Sequence, residues 1–467
     1  MTGRTLLPSV TSTRSRPDRF SSALTLLVAA AVAIAFADSS VVVLALPQLY
    51  VQLHTSIEGV AWVVTAYNAA VAVAALGLVL FVHRVSATGV LVAGLVVFTA
   101  ASIACSLAGN LAFLIAARTV QGVGAALLLA GALPVLALLR KSAAQGAAVW
   151  TLAGTFGAAL GPALGGVLTQ AFDWRAIFAA QAPVAALGLL AAARVRGEAF
   201  VEEGWRPSLA RTLPANVCLG LVFGALVGAL FLAVLLVITG WGHSPIAGAA
   251  IVSILPAATL LARPLAARLP PLTAVFGGAS LLTAGLVGLA LLPFASIWLA
   301  MYALALCGFG LGLAVPILSD LSLDLGAGLT RSGTLTIGVR HLGLVLALAL
   351  IAPLLASELP AASDRALLRA TAVLLDSPVG LPKKVPVALD LRGAFAQARQ
   401  GEIPDLSRPF DAHGARHDRQ LAATRDSLVG TIESTITRAF RPAFFLSAAL
   451  AALAALVAFL FRRRIVS

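Results

Sequence analysis

Polar residues in this chain are gathered into short turns, leaving apolar blocks of about twenty residues or more. That is the length a helix needs to cross a ~30 Å hydrocarbon layer at ~1.5 Å per residue. Twelve such blocks can be drawn: 23–46, 59–82, 89–108, 111–139, 147–170 and 176–193, then 215–239, 245–268, 272–293, 296–319, 333–356 and 441–461. Lipid offers the backbone no hydrogen-bond partner, so each block must satisfy its own peptide groups as a helix. The pattern predicts an all-α polytopic membrane protein of two six-helix bundles. The first occupies 23–193. The second takes its first five helices from 215–356 and its last from 441–467. A charged stretch at 194–214, with Trp205 and Pro207, links them. Two repeats of this kind place a transport site at their interface. A short echo supports the repeat: Thr55-x-Ile57-x-Gly59-x-Ala61 opens the second span and Ser244-x-Ile246-x-Gly248-x-Ala250 the eighth.

Two segments break the pattern. Residues 1–22 are polar, basic and rich in Ser and Thr, which predicts a disordered cytoplasmic tail. The apolar run after them is too long for a signal-peptide core and reads as an uncleaved first helix. Residues 357–440 are far longer than an ordinary connection and nearly charge-balanced, with ten acidic against eleven basic side chains. Counting spans puts them outside, which long loops reach regardless of charge. Within them Ser363 is placed to cap a helix carrying Leu367, Leu368, Leu374 and Leu375. A Pro-rich stretch (Pro378, Pro382, Pro386) and a second helix near 387–400 follow. A third, with Leu421, Leu428, Ile432 and Ile436, runs toward the last span. The expectation is a small helical extracytoplasmic cap, serving as a lid, as a docking site for a periplasmic or envelope partner, or as passive bulk.

Composition sharpens the class. A chain that is 60% hydrophobic and 11% charged, with a mean hydropathy of +0.99, is not a soluble globular protein. The net charge of +13 invites a nucleic-acid reading, but its distribution argues against one. Arg4, Arg19, Arg84, Arg140, Lys141, Arg194, Arg263, Arg331 and Arg462 all fall on one face of the predicted topology. That bias puts both termini in the cytoplasm of a multi-pass inner-membrane protein. Few lysines among many arginines, with abundant Ala, Leu and Gly, point to a GC-rich bacterial genome. Cys105, Cys218 and Cys307 lie in apolar segments, so neither disulfides nor a metal cluster is expected. His413 and His417 are four apart, but Gly414 lies between them and no acid completes a zinc-protease pattern. With no phosphate loop, nucleophile elbow or catalytic carboxylate pair, the expectation is no enzyme, no cofactor and no metal.

Asp38 is the acidic side chain that the spans enclose, and a carboxylate at that depth costs about 2.5–3.5 kcal/mol even on lenient scales. It needs a partner, water or a proton. Asp38, Tyr67 and Arg118 each lie seven or eight residues from the outer end of their spans, which puts all three about 11 Å deep. A nearby guanidinium favours an ionised carboxylate and burial favours the neutral acid, and such opposed demands suit a proton carrier. A purely structural ion pair is the alternative. Gln121 shares a helix face with Arg118. In the fifth span Gly157, Gly161, Pro162, Gly165 and Gly166 make a smooth surface that serves either as a packing seam or as a hinge. Arg340 and His341 lie seven or eight residues from the inner end of the eleventh span and are candidates for the polar wall of a cavity. His341 either titrates near neutral pH or acts as a hydrogen-bonded structural histidine.

These motifs together resemble the major facilitator superfamily, and within it the drug:proton antiporters, above all the fourteen-helix branch. The resemblance rests on Asp38-x-x-Val41-Val-x-x-Ala45-Leu46-Pro47, Trp62-Val-Val-Thr65-Ala-Tyr67 and Arg118-x-x-Gln121-Gly-x-Gly124. Gly161-Pro162-x-x-Gly165-Gly166 and Trp174-Arg175-x-Ile177-Phe178 belong to it too, as do Gly242, Ser244, Pro245 and Gly248 and the pair Arg340 and Gly343. It covers most of residues 23–356 and the last span. It implies alternating access, proton coupling through Arg118, and a glycine motif typical of exporters. Three features depart from it. Only twelve spans fit, the cap is long, and the gating loop reads His83-Arg84-Val85-Ser86-Ala87-Thr88, with His83 where the family carries an acid. The function expected is proton-coupled export of hydrophobic or amphipathic small molecules, with protons and membrane lipid as the other partners and no nucleic acid. Export of a lipid or cell-envelope precursor through the cap, and a non-transporting sensor or scaffold, are the alternatives.

Overall fold

The computed structural model describes residues 19–81, 84–195, 209–323, 328–397, 406–415 and 418–462. The expected basic tails, most of the 194–214 linker, His83 and His417 lie largely or wholly outside them. Among the described residues the elements are all helices. The first group is α1 (Arg19–Val43), α2 (Leu46–Gln52), α3 (Ile57–Val79), α4 (Ala87–Ser106), α5 (Leu111–Arg140), α6 (Ala143–Ala171) and α7 (Arg175–Ala192). The second is α8 (Leu209–Val234), α9 (Pro245–Val252), α10 (Ile254–Ala266), α11 (Pro271–Ala290), α12 (Ile297–Ser322), α13 (Leu329–Asp376) and α17 (Arg441–Leu460). Between the last two come α14 (Leu381–Gln397), α15 (Ser407–Ala412) and α16 (Arg419–Ala439). Among the described residues twelve stretches are long and apolar enough to cross a membrane.

The helices start and stop where side chains can satisfy their ends. Ser56, Ser86, Asn110, Ser142 and Ser244 each accept a hydrogen bond from the backbone N–H three residues on. Lys141, at φ +54°, turns the chain sharply between α5 and α6. The repeat echo shifts here. The cap of α3 falls on Ser56 rather than Thr55, whereas that of α9 falls on Ser244, so the two motifs are one residue out of register. The eighth span is also broken, at Ser253, just ahead of Pro256, whose missing N–H and ring disfavour a continuous helix.

Lipid supplies no hydrophobic drive for helices to associate, so close backbone approach has to hold them. Glycines provide it. A Cβ on Gly124 of α5 would lie 2.5 Å from the Phe98 backbone of α4, and one on Gly310 of α12 would meet the Gly278 carbonyl of α11. Gly343 of α13 sits directly on Gly220 of α8. The two bundles meet along α3 and α13, where Gly338 receives Leu76, and where Gly333 receives Leu133 of α5.

The cap differs from expectation in two respects: the helix expected near 387–400 begins at Leu381 and takes in Pro382 and Pro386, and the first cap helix has no separate start. Ser363 does not begin a helix; it lies inside α13, which runs unbroken for 48 residues across the expected boundary at 356/357. No cap is needed there, because Leu359, Ala362, Ala366, Ala370 and Leu374 recur at helical spacing and bury against a neighbour. That neighbour is α16, which offers Leu421, Leu428, Ile432 and Ile436 and passes through Phe440 into α17. Arg369 donates to Thr435 Oγ1 at 3.1 Å. Trp241 Nε1 donates to Thr437 Oγ1 at 2.9 Å, fastening the cap to the end of α8, where the last turn (Leu235–Gly240) is a π-helix. His413 Nε2 lies 2.8 Å from Asp390 Oδ2, and no group of three metal-ligating side chains occurs among the described residues.

Asp418 caps α16 by accepting from the backbone N–H groups of Gln420 and Leu421, and it pairs with Lys383 Nζ at 2.8 Å. The Lys383 hydrogen bond, then the backbone donors, hold its carboxyl below the usual range. A lowered folded value means a contribution complete above the ordinary carboxylate range and lost as pH falls through the folded value. Asp418→Ala should therefore speed amide hydrogen exchange at Leu421–Thr424 at pH 7. The gap between the variant and the wild type should narrow as pH falls below the ordinary carboxylate range.

Candidate functional site

Asp38 lies in the body of α1 with no solvent exposure. Arg118 reaches it from α5, its Nη1 2.6 Å from Asp38 Oδ2, and is equally buried. The Nη1 hydrogen bond is aimed at Gln121 Oε1 (2.7 Å), so the contact with Oδ2 is an ion pair without an aligned hydrogen bond. Arg118 Nε donates to the Val63 carbonyl of α3 at 3.1 Å. Gln121 Nε2 donates to Ser102 Oγ at 2.9 Å and to Gln181 Oε1 at 2.7 Å. Gln181 Nε2 donates to Asp38 Oδ1 at 2.8 Å and closes a ring of four side chains from α1, α5 and α7. A buried ion pair satisfied in this way is stable as a unit, whereas removing one member strands the other.

Three of the four residues marked for proton coupling, Asp38, Arg118 and Gln121, are bonded in this ring. Tyr67 is adjacent but plays a different part. Its hydroxyl donates to the Ala35 carbonyl (2.8 Å), while its ring lies 4.3 Å from the Arg118 guanidinium carbon. It supports the cation through its face and does not touch the carboxylate. Gln181 was missed, although it sits six residues into α7, the depth that marked the others.

From this ring a second chain of contacts crosses between the bundles. Ser39, next to Asp38, donates to Asn68 Oδ1 at 3.1 Å, and His341 Nδ1 lies 2.7 Å from the same oxygen. Asn68 Nδ2 donates to Val64 O, which fixes Oδ1 toward the histidine and assigns the hydrogen to Nδ1. His341 Nε2 has no hydrogen-bond partner. Arg340 lies about three turns into α13, which begins at Leu329. Its guanidinium lies between Phe36 of α1 (4.3 Å) and Phe223 of α8 (3.8 Å). Both residues line a cavity of about 120 Å³ between the bundles, together with Phe36, Trp150 and Phe223.

The fifth-span glycines form a seam on α6. A Cβ on Gly157 or Gly161 would strike Ala33 or Ser40 of α1, and one on Gly165 would lie 2.6 Å from Val41 O. Gly166 faces Ala249 of α9, in the other bundle, and Pro162 lines the cavity. Arg84 is exposed on the turn after α3, and the following Ser86 caps α4. Trp174 and Arg175 tie the start of α7 down, Trp174 Nε1 donating to Gln52 and Arg175 Nη2 to Ala108 O. Trp62, part of the matching motif in α3, is 57% exposed on the outside of the bundle.

A family model described as Major Facilitator Superfamily matches residues 28–357. An uncharacterized MFS-type transporter of Mycobacterium tuberculosis is 37% identical over 158 residues, which are 33% of this chain and 27% of the relative. The methylenomycin A resistance protein of Bacillus subtilis is 35% identical over 34% of each chain. The putative multidrug resistance protein MdtD of Salmonella newport is 35% identical over 33% of each. The matched stretch thus spans about a third of these curated relatives. Among solved structures, a bacterial homologue of the human lysosomal transporter Spinster, inward-facing and occupied, superposes with a TM-score of 0.64. It has 17% identity and covers 96% of this chain and 98% of its own. The D-xylose–proton symporter superposes with a TM-score of 0.58 and 14% identity, over 71% of this chain and 90% of its own.

Gln181→Leu leaves Asp38 Oδ1 and one Gln121 N–H without partners, at a cost of about 1–3 kcal/mol for each buried group. Its unfolding midpoint in detergent should fall well below that of the wild type, and an unchanged midpoint would mean the ring is not closed in solution. Gly157→Val forces α6 off α1 and should destabilise by about 1–3 kcal/mol, read in the same melt.

Proposed function

The chain belongs to the major facilitator superfamily, and on that footing we propose that it exports hydrophobic or amphipathic small molecules in exchange for protons. The observation that carries this reading is the fully buried Asp38–Arg118 pair, closed by Gln121 and Gln181 and joined through Asn68 to His341 beside the cavity. A proton on Asp38 removes the charge that holds Arg118, leaving the guanidinium to Val63 O, Gln121 and the Tyr67 ring. Ser39 is covalently next to Asp38, so a shift of α1 there passes through Asn68 to α13 in the other bundle. The glycine seam lets α6 stay close to α1 as that happens, and Gly166 brings the movement to α9. Relatives named for methylenomycin A and multidrug resistance favour drug-like cargo and the outward direction. The gathering of basic side chains in one set of turns favours cytoplasmic termini and a bacterial inner-membrane location.

Purified protein in vesicles with an imposed pH gradient tests the reading against a panel of cationic, neutral and anionic dyes. Wild type should drive uphill dye movement and release protons in step with it. Asp38→Asn should lose both while keeping its helical circular dichroism and a single gel-filtration peak. Normal dye movement against the gradient by Asp38→Asn would sink the coupling role.

A further inference from the structure

The cavity carries an unanswered charge. Arg340 is the one charged side chain in its lining; no Asp or Glu contributes to the wall. Among the described residues Arg340 makes no hydrogen bond or ion pair. Its guanidinium rests against the rings of Phe36 and Phe223, and its Nε is buried without a bond. The buried carboxylate of the first bundle, Asp38, is already engaged by Arg118 and Gln181. A guanidinium keeps its charge under all ordinary conditions and offers five N–H groups in a planar fork that fits a carboxylate, sulfonate or phosphate. Two aromatic faces answer the charge only weakly, leaving those hydrogens unspent. The rest of the lining is mostly apolar or aromatic, and His341 Nε2 supplies an acceptor next to the cation.

We propose that the cavity takes amphipathic anions, holding the acidic head on Arg340 and the apolar body against Phe36, Trp150 and Phe223. The proposal deepens the export reading, and it rests on that reading in taking the cavity as the cargo site. Phe36 comes from the first bundle, and Phe223 and Arg340 from the second, so the head is bound where the bundles meet. A cationic amphipath of equal size would place like charge against Arg340 in a low-dielectric space with no carboxylate to compensate. The site therefore selects by sign of charge and tolerates varied apolar bodies.

Three probes sharing one body isolate the charge: 4-phenylbutyrate, 4-phenylbutanol and 4-phenylbutylamine. Binding to the full-length protein is read from tryptophan fluorescence, to which Trp150 in the cavity wall contributes. The expected result is at least tenfold tighter binding of the carboxylate than of the amine, with the alcohol between them. In Arg340→Gln the carboxylate should fall to the level of the alcohol. Binding of the alcohol should persist there, which shows that the cavity is intact, and Arg340→Lys should recover part of the preference. Equal or tighter binding of the amine in wild type, or an anion preference that survives Arg340→Gln, overturns the proposal. A protein that binds the carboxylate on Arg340 but moves no protons in vesicles would refute the exporter reading and leave this binding assignment standing.

Discussion

An ionised carboxylate inside a bilayer persists only if something closer than lipid answers it, and much of the first bundle is arranged around that demand. Asp38 is answered by Arg118, and each then has to be answered further, since an ion pair leaves lone pairs and N–H groups over. Gln121 and Gln181 take them up, Val63 lends a backbone carbonyl, and Tyr67 offers a ring face. Three helices must hold register to within a hydrogen bond for this to close. Gly188 of α7 against Ala31 of α1, and Gly122 of α5 against the Tyr67 carbonyl of α3, help bring the backbones near enough. Packing and polarity are in this sense one design: the small residues exist so that the long polar ones can reach.

The second bundle handles its charge differently. Arg340 is set between two aromatic rings and open to a cavity, with no carboxylate assigned to it. One buried cation is thus held by an ion pair and hydrogen bonds and the other is left available, and they lie on opposite sides of the seam between the bundles. The Ser39–Asn68–His341 contacts join the two regions, because Ser39 follows Asp38 in the chain and His341 follows Arg340. On α13 Arg340 carries the charge and His341 bonds Asn68 across the seam, while on α1 Asp38 carries the charge and Ser39 bonds the same Asn68 within its own bundle.

How far this was legible from the sequence depended on whether a feature was set by depth or by register. Asp38, Arg118 and Tyr67 could be placed together by counting residues from the ends of apolar blocks, since 1.5 Å per residue converts position to depth. Gln181 was open to the same count and went unread because an amide in an alanine-rich helix carries no charge to draw attention. Asn68 was harder, since its importance lies in facing His341 across the bundle seam, which no single-helix count reports. Ser363 misled for the opposite reason. A serine ahead of a leucine run is a local signal for a helix start, but the apolar positions before it were already in helical phase with those after it. The helix simply continued.

The continuity of α13 has a structural consequence that a looped-out cap would not have. Arg340, His341 and the Gly343 contact with α8 share one helix with Leu359, Ala366 and Leu374, which bury against α16. From α16 the chain passes through a single residue into α17, which packs in the same bundle as α8. The cap is therefore built from the projecting ends of two membrane helices, and the Trp241–Thr437 bond fastens it to a third at its π-helical turn. A cap attached in this way belongs mechanically to the second bundle, the one that carries Arg340. Any rotation of that bundle relative to the first must carry the cap with it, without requiring a separate hinge.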